Sequence, residues 1–163
     1  MPAVARGRDR EAVWLHAGSR GPVDPALEPD FAGLGACVAD QIDRAELTSA
    51  LDEIWQRVRR LNRYVEEQAP WQLAKDEARA DELDVVLRTL AEGLRSVTVL
   101  LHAYLPATAA RLLDALGAPE LSLAGADYGL GAIDRVTVTK PLFPKDRGEG
   151  GGGGPGRGEE AAA

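Results

Sequence analysis

The run Leu61-Asn62-Arg63-Tyr64-Val65-Glu66-Glu67-Gln68-Ala69-Pro70-Trp71-Gln72-Leu73-Ala74-Lys75 carries the residues best suited to chemistry at a surface: an indole beside a proline, with guanidinium groups upstream. Proline disfavours the helical conformation in the residue before it and lacks an amide hydrogen, so a helix arriving from the N-terminal side ends near Ala69 and restarts after the corner. Trp71 then stands at a bend, where a flat ring can be offered to a partner. An unpaired RNA base is such a partner, because loop bases are recognised by stacking on aromatic or guanidinium planes. By residue type alone the opposite fate is also open, a tryptophan stapling one helix against its neighbour, since tryptophan is usually largely buried. Upstream, Arg57, Arg59, Arg60 and Arg63 have the make-up of a phosphate-binding cluster. At about 100° per residue, Arg59, Arg60 and Arg63 fall opposite Leu47, Ile54, Val58 and Leu61, on a solvated face whose field Glu66 and Glu67 partly cancel. That face is either an ordinary charged exterior or, if RNA binds, a source of backbone contacts on the helix that delivers Pro70 and Trp71.

Other reactive residue types lack the company that chemistry requires. His16 and His102 have no carboxylate or cysteine at ligand spacing, so neither a metal site nor acid–base catalysis is expected. Glu66-Glu67 and Asp81-Glu82 sit in solvated helical turns. Cys37 is the single cysteine, which fits a reducing compartment. The glycines of Gly125-Ala-Asp-Tyr-Gly-Leu-Gly131 lack a strand–turn–helix setting and read as a turn-rich linker, not a phosphate loop. No catalytic residue is assigned.

The chain has 163 residues, 45% of them hydrophobic, enough for one domain with a real core. Its net charge of -7 argues against general electrostatic attraction to nucleic acid, so any RNA binding must be local and selective, and DNA is not expected as a partner. No apolar run reaches the length of a membrane span and the first ten residues lack a signal-peptide core. A cytoplasmic location without a membrane partner is expected.

The elements that must position these residues follow from periodicity. Residues 1–23 show no pattern and read as an irregular segment. Asp24-Pro25 opens a first helix as N-cap and first helical residue, with Leu27, Phe31, Leu34, Val38 and Ile42 on one face. A second helix starts near Glu46, carries Leu47, Leu51, Ile54, Val58, Leu61 and Val65, and stops at the corner. A third runs from about Arg79 to Leu105, weakened by roughly 1 kcal/mol at Gly93. A fourth follows Pro106 and ends at Gly117, a natural left-handed cap. Residues 24–145 thus read as an all-α domain, an antiparallel bundle of about four helices. Ile133–Thr139 adds a short extended arm that must lie on something, and Pro141-Leu-Phe-Pro144 closes it as a stiff hook. The glycine-rich residues 146–163 read as a disordered tail.

Arg44-Ala-Glu-Leu47, Asn62-Arg-Tyr-Val65, Ala69-Pro-Trp-Gln-Leu-Ala-Lys75, Leu100-Leu-His-Ala-Tyr-Leu-Pro106 and Pro141-Leu-Phe-Pro144 together resemble the C-terminal anticodon-binding domain of bacterial methionyl-tRNA synthetases. The resemblance implies a helical domain whose proline and tryptophan, here Pro70 and Trp71, contact the anticodon loop, with Trp71 stacked on an exposed base. The expected partner is a tRNA anticodon stem-loop. The family's His-Ile-Gly-His-type and Lys-Met-Ser-Lys-Ser-type motifs do not occur here, and ATP and methionine belong to the catalytic domain that bears them. No cofactor and no activity of the chain alone are therefore expected. The family's Asn-Leu-Ala-Ser-Arg-type helix has no counterpart in residues 1–23 either. The chain then reads as the later part of the domain, cut off or replaced before its first helix, and a bundle missing one helix is expected to be marginal or partly open unless the start covers the gap. Two other functions fit the same residues: an inactive enzyme fragment that works only docked on a separate catalytic chain through the Val136–Phe143 arm, and a helical module that dimerises through the bared stripe.

Overall fold

A computed structural model of the chain describes residues 12–14, 22–118, 120–130, 133, 135–137 and 142. The expected disorder of residues 146–163 and most of the Pro141–Pro144 hook lie outside the described residues.

The architecture is all-α apart from one short ladder. Asp24 accepts a hydrogen bond from the Ala26 amide and caps a 3-10 turn, Pro25–Leu27, which leads into α1 (Glu28–Phe31). The expected single first helix is broken here, because Gly33 takes a left-handed φ of 69° and restarts the chain as α2 (Leu34–Asp43). The break lets Leu27, Phe31, Leu34 and Val38 all reach the core although they are shared among the 3-10 turn, α1 and α2. A tight turn through Ala45, at φ 61°, leads into α3 (Leu47–Gln68). In that turn the Glu46 amide donates to the Gln41 carbonyl at 2.8 Å, closing the end of α2.

After the corner come α4 (Pro70–Leu73), a 3-10 turn at Glu77–Arg79 capped by Asp76, and α5 (Ala80–Leu101). Helix α5 stops four residues before the expected Leu105. Its continuation is a turn closed by the Tyr104 and Leu105 amides, both donating to the Leu101 carbonyl, and Pro106 then opens α6 (Pro106–Ala115). Gly117, at φ 67°, ends α6 as expected, with the Ala118 amide donating to the Leu113 carbonyl.

Helix α5 is the axle of the bundle. It packs against α3, α4 and α6, and most of its residues from Val86 to Leu100 are buried. At Gly93 it lies against the Leu61 side chain of α3, with no room for a methyl group between them. The described part of the segment expected to be a linker, Gly125–Gly131, instead joins this packing. A 3-10 turn at Leu123–Ala126 lies on α5 and α2, Ala126 is buried, and the Tyr128 ring stacks on Phe31 with centroids 4.9 Å apart. The Ser96 hydroxyl donates to the Ala126 carbonyl, and Arg95 donates to the carbonyls of Gly125 and Asp127. Without a helical period these contacts left no trace in the sequence pattern.

The N-terminal segment is not wholly irregular. Ala12–Trp14 (β1) pairs antiparallel with Arg135–Thr137 (β2), in the register Ala12 to Thr137, Val13 to Val136 and Trp14 to Arg135. The support that an isolated arm needs is therefore another piece of the same chain. Among the described residues, apolar surface stays open in a depression of about 360 Å³ lined by Val38, Ile42, Leu100, Leu121 and Leu123 among others. No helix among the described residues is long and apolar enough to cross a membrane.

An added methyl at Gly93 would stand 2.4 Å from Leu61 Cδ2 and 3.3 Å from its Cγ. The roughly 1 kcal/mol that alanine gains in a helix competes with about 1–3 kcal/mol for overpacking. Gly93→Ala is expected to lower the thermal midpoint, and a higher midpoint in a melting curve would show that Leu61 swings aside freely.

Candidate nucleic-acid interface

The corner is made by one residue. Ala69, at φ 43° and ψ 59°, is at once the last cap of α3 and the first of α4. Its amide donates to the Val65 carbonyl at 3.0 Å and its carbonyl accepts from the Gln72 amide at 2.7 Å. Pro70 disfavours the right-handed helical conformation at Ala69, and the left-handed one adopted there turns the chain within a single residue. Helix α4 has only four residues, and Leu73 takes its core position with 2% of its surface exposed. Two residues earlier on a helix is about 200° around, so anchoring Leu73 inward turns Trp71 outward. Trp71 is 53% exposed, and Pro70 beside it is half-buried. Of the two fates open to the indole in sequence, burial as a staple is the one the structure does not adopt.

Arg59, Arg60 and Arg63 lie along α3 before the corner, Arg63 about 9 Å from Ala69 at 1.5 Å per residue. They meet Gln56 and Arg57 from the same helix, and Pro29 and Asp30 from α1, around a groove of about 410 Å³. Neither Pro70 nor Trp71 lines this groove, so the sequence-nominated residues form two neighbouring features. Arg60 departs from the expected solvated face. Its side chain is mostly covered, with Asp30 at 2.9 Å and Glu67 at 3.3 Å, and its guanidinium lies 6.0 Å from the centre of the Tyr64 ring. The reason is geometric: Arg60 is about 100° around from Arg59, on the shoulder of α3 where α1 docks. Arg57 is held as well, by Glu53 at 2.6 Å and by the main-chain carbonyl of Asp30 at 2.8 Å. Arg59 and Arg63 are exposed as expected. Arg59 makes a loose pair with Asp52 at 3.4 Å, and Arg63 has no ion-pair partner among the described residues. Pro29, Asp30 and Gln56 escaped the sequence reading, since nothing in residue type or spacing tells which carboxylate docks on a helix some thirty residues away.

Behind the corner, Tyr64 ties α3 to the rest. Its hydroxyl donates to Asp24 Oδ2 at 2.9 Å, and the Asp24 amide donates to Thr89 Oγ1 at 2.7 Å on α5. Burial, reinforced by the Asp24 carboxylate, pushes the Tyr64 phenol from 10.0 up to about 12. Burial raises the Tyr128 phenol too, with the Glu92 charge adding to it. Trp55 is 46% exposed, and Asn62 is also exposed.

Two outcomes are expected for this scaffold. Alanine in the left-handed region costs about 1 kcal/mol, which glycine does not incur, so Ala69→Gly should raise stability by up to about 1 kcal/mol in urea unfolding. A lower midpoint would show that the alanine methyl is itself packed at the corner. A folded Tyr64 that stays neutral while the unfolded chain ionises gives stability that is complete below pH 10.0 and drains away as pH rises towards 12. Tyr64→Phe should cost about 1–2 kcal/mol at neutral pH and make the alkaline loss shallower. An alkaline limb unchanged in Tyr64→Phe would dismiss this tyrosine as its source.

Comparisons with known proteins agree with the helical fold. No family model matches the chain. Over 138 residues it is 35% identical to the methionine–tRNA ligase of Enterococcus faecalis, covering 82% of this chain and 20% of that protein. Over 138 residues it is 40% identical to the methionine–tRNA ligase of Caldanaerobacter subterraneus, covering 83% of this chain and 22% of the relative. The chain thus spans about a fifth of the length of these curated relatives. Among solved structures it resembles the free-state Mycobacterium tuberculosis methionyl-tRNA synthetase with a TM-score of 0.65 at 26% identity, over 78% of this chain and 27% of that one. The same organism's synthetase in complex with methionyl-adenylate superposes with a TM-score of 0.66. The chain is a partial, helical piece related to methionyl-tRNA synthetases.

Proposed function

We propose that this piece of a methionyl-tRNA synthetase-like protein binds the anticodon loop of a tRNA, serving methionyl-tRNA formation in translation. The observation that carries the reading is the outward indole of Trp71, held by left-handed Ala69, by Pro70 and by the inward anchor Leu73. A flexible surface tryptophan would lose rotational freedom when a base stacks on it. Here the backbone that carries the ring is already fixed by a proline and a buried leucine, so binding has only the side chain left to order and more of the stacking energy appears as affinity. Trp71 stacks on an unpaired base, and Pro70 fixes the angle at which the ring is presented. The arginines of α3 supply contacts to the RNA backbone. This binding needs no cofactor. Methionine activation belongs to a catalytic domain that binds ATP and methionine, in the same polypeptide or in another chain.

A base–aromatic stack is worth about 1–3 kcal/mol. Fluorescence anisotropy with a labelled anticodon stem-loop should therefore show Trp71→Ala binding roughly 5- to 150-fold more weakly, with Trp71→Phe in between. Because the ring is exposed, the same variant should keep its unfolding free energy within about 0.5 kcal/mol. Equal affinity for wild type and Trp71→Ala would sink the reading, as would equal affinity for the stem-loop and a blunt duplex of the same stem.

A further inference from the structure

We infer that the groove between α1 and α3 grips a phosphodiester of the bound RNA, with Arg63 and Arg59 as its contacts and Arg60 as a positioning residue that does not touch the ligand. The inference rests on the RNA-binding reading above and divides its arginines into two roles. The division follows from how firmly each guanidinium is already engaged. Arg60 is sandwiched between Asp30 and Glu67 at 2.9 and 3.3 Å with only 22% of its side chain exposed. Giving up either carboxylate would strand a partly covered charge and loosen the seat of α1, so Arg60 is not available to a ligand. Its pairing has a second effect. Glu67 is the natural helical partner of Arg63, four residues before it, and Arg60 engages it instead. Arg63 is left at the mouth of the groove without an ion-pair partner among the described residues.

Arg59 is nearly as available. Its bond to Asp52 is long at 3.4 Å, and both side chains are more than 60% exposed. Exposed pairs of this kind add little to stability, so exchanging that carboxylate for a phosphate costs little. Arg59 and Arg63 are one helical turn apart, about 6 Å along α3. With the Gln56 side chain one turn before Arg59 on the same groove wall, they can meet the oxygens of one phosphate and its neighbour. The four arginines around the groove, Arg57, Arg59, Arg60 and Arg63, balance the four carboxylates paired there, Asp30, Asp52, Glu53 and Glu67, so the groove does not repel an anion despite the chain's net charge of -7. Screening confines the rest of that charge to about 8 Å at physiological salt. An RNA strand is favoured over an acidic peptide because the groove and the outward indole share one helix and its corner.

The test is the salt dependence of anticodon stem-loop binding by the full chain, measured between 50 and 200 mM salt. Each phosphate contact contributes about 0.7–0.9 to the slope of log affinity against log salt. Arg63→Gln and Arg59→Gln should each reduce the slope by about that amount and weaken binding equally for different loop sequences. Trp71→Ala should weaken binding with the slope unchanged. Arg60→Gln should lower the melting temperature and, by releasing Glu67 to Arg63, weaken binding and flatten the slope, whereas adding Glu67→Gln should restore the slope, which a direct Arg60–phosphate contact would not allow. Asp52→Asn frees Arg59 and should tighten binding by about twofold, a gain that misfolding cannot imitate. Asp114→Asn, which removes the same charge from exposed α6, should leave binding as it was. An unaltered slope in both Arg63→Gln and Arg59→Gln, alongside a Trp71→Ala defect, overturns the groove and spares the base-stacking reading. Failure of the unmodified chain to bind the stem-loop at any salt overturns both. Competition by polyglutamate as strong as by RNA overturns the assignment to a phosphodiester.

Discussion

The ion pair between Glu92 and Arg95, on one face of α5 and almost closed off from water, is the constraint from which much of the remaining geometry follows. Arg95 meets both oxygens of Glu92 at 2.7 and 2.8 Å and donates further to the carbonyls of Gly125 and Asp127. Glu92 in turn accepts from the Gly129 amide at 2.8 Å. Burying two charges is costly, and a pair becomes tolerable only when its remaining hydrogen-bonding capacity is also satisfied. Here the irregular segment after α6 satisfies it. That segment has no helical period of its own and lies where it does because these carbonyls and this amide are needed there.

The consequences propagate outward. Fixing residues 125–129 places Tyr128 against Phe31, and Phe31 belongs to α1. Helix α1 brings Asp30 to Arg60 and, through its preceding turn, Asp24 to Tyr64. Two short polar contacts therefore position the arginine-bearing face of α3, although α1 itself has only four residues. The corner is set separately, by Ala69, Pro70 and Leu73. The two surface features are held by different parts of the bundle, which is why changes to one need not disturb the other.

The sequence made the helical parts of this arrangement readable. The stripes of α3, α5 and α6, the stop at Ala69-Pro70 and the glycine end at Gly117 follow from periodicity and backbone chemistry, both local. What escaped was long-range or aperiodic. The break at Gly33 was hidden because the apolar residues on either side keep helical spacing through it. The hold of Glu92 and Arg95 on residues 125–129 joins elements some thirty residues apart, and β1 is three residues whose partner lies more than a hundred positions away. At the candidate site, residue type nominated Trp71 and the arginines, but whether each arginine faced water depended on where α1 docked. A helical wheel puts Arg59, Arg60 and Arg63 within half a turn of one another, and only the docking of Asp30 separates Arg60 from the other two.

The small ladder between Ala12–Trp14 and Arg135–Thr137 has a mechanical corollary. Because the pairing is antiparallel, with Ala12 opposite Thr137, the chain enters at residue 12 and leaves at residue 137 from the same end of the ladder. Tension applied through the two flanking segments pulls its strands apart sideways, loading the rungs in succession and not all at once. The ladder is thus a zipper that parts before the helices bear any load, a breakable clasp between the bundle and whatever polypeptide tugs on it.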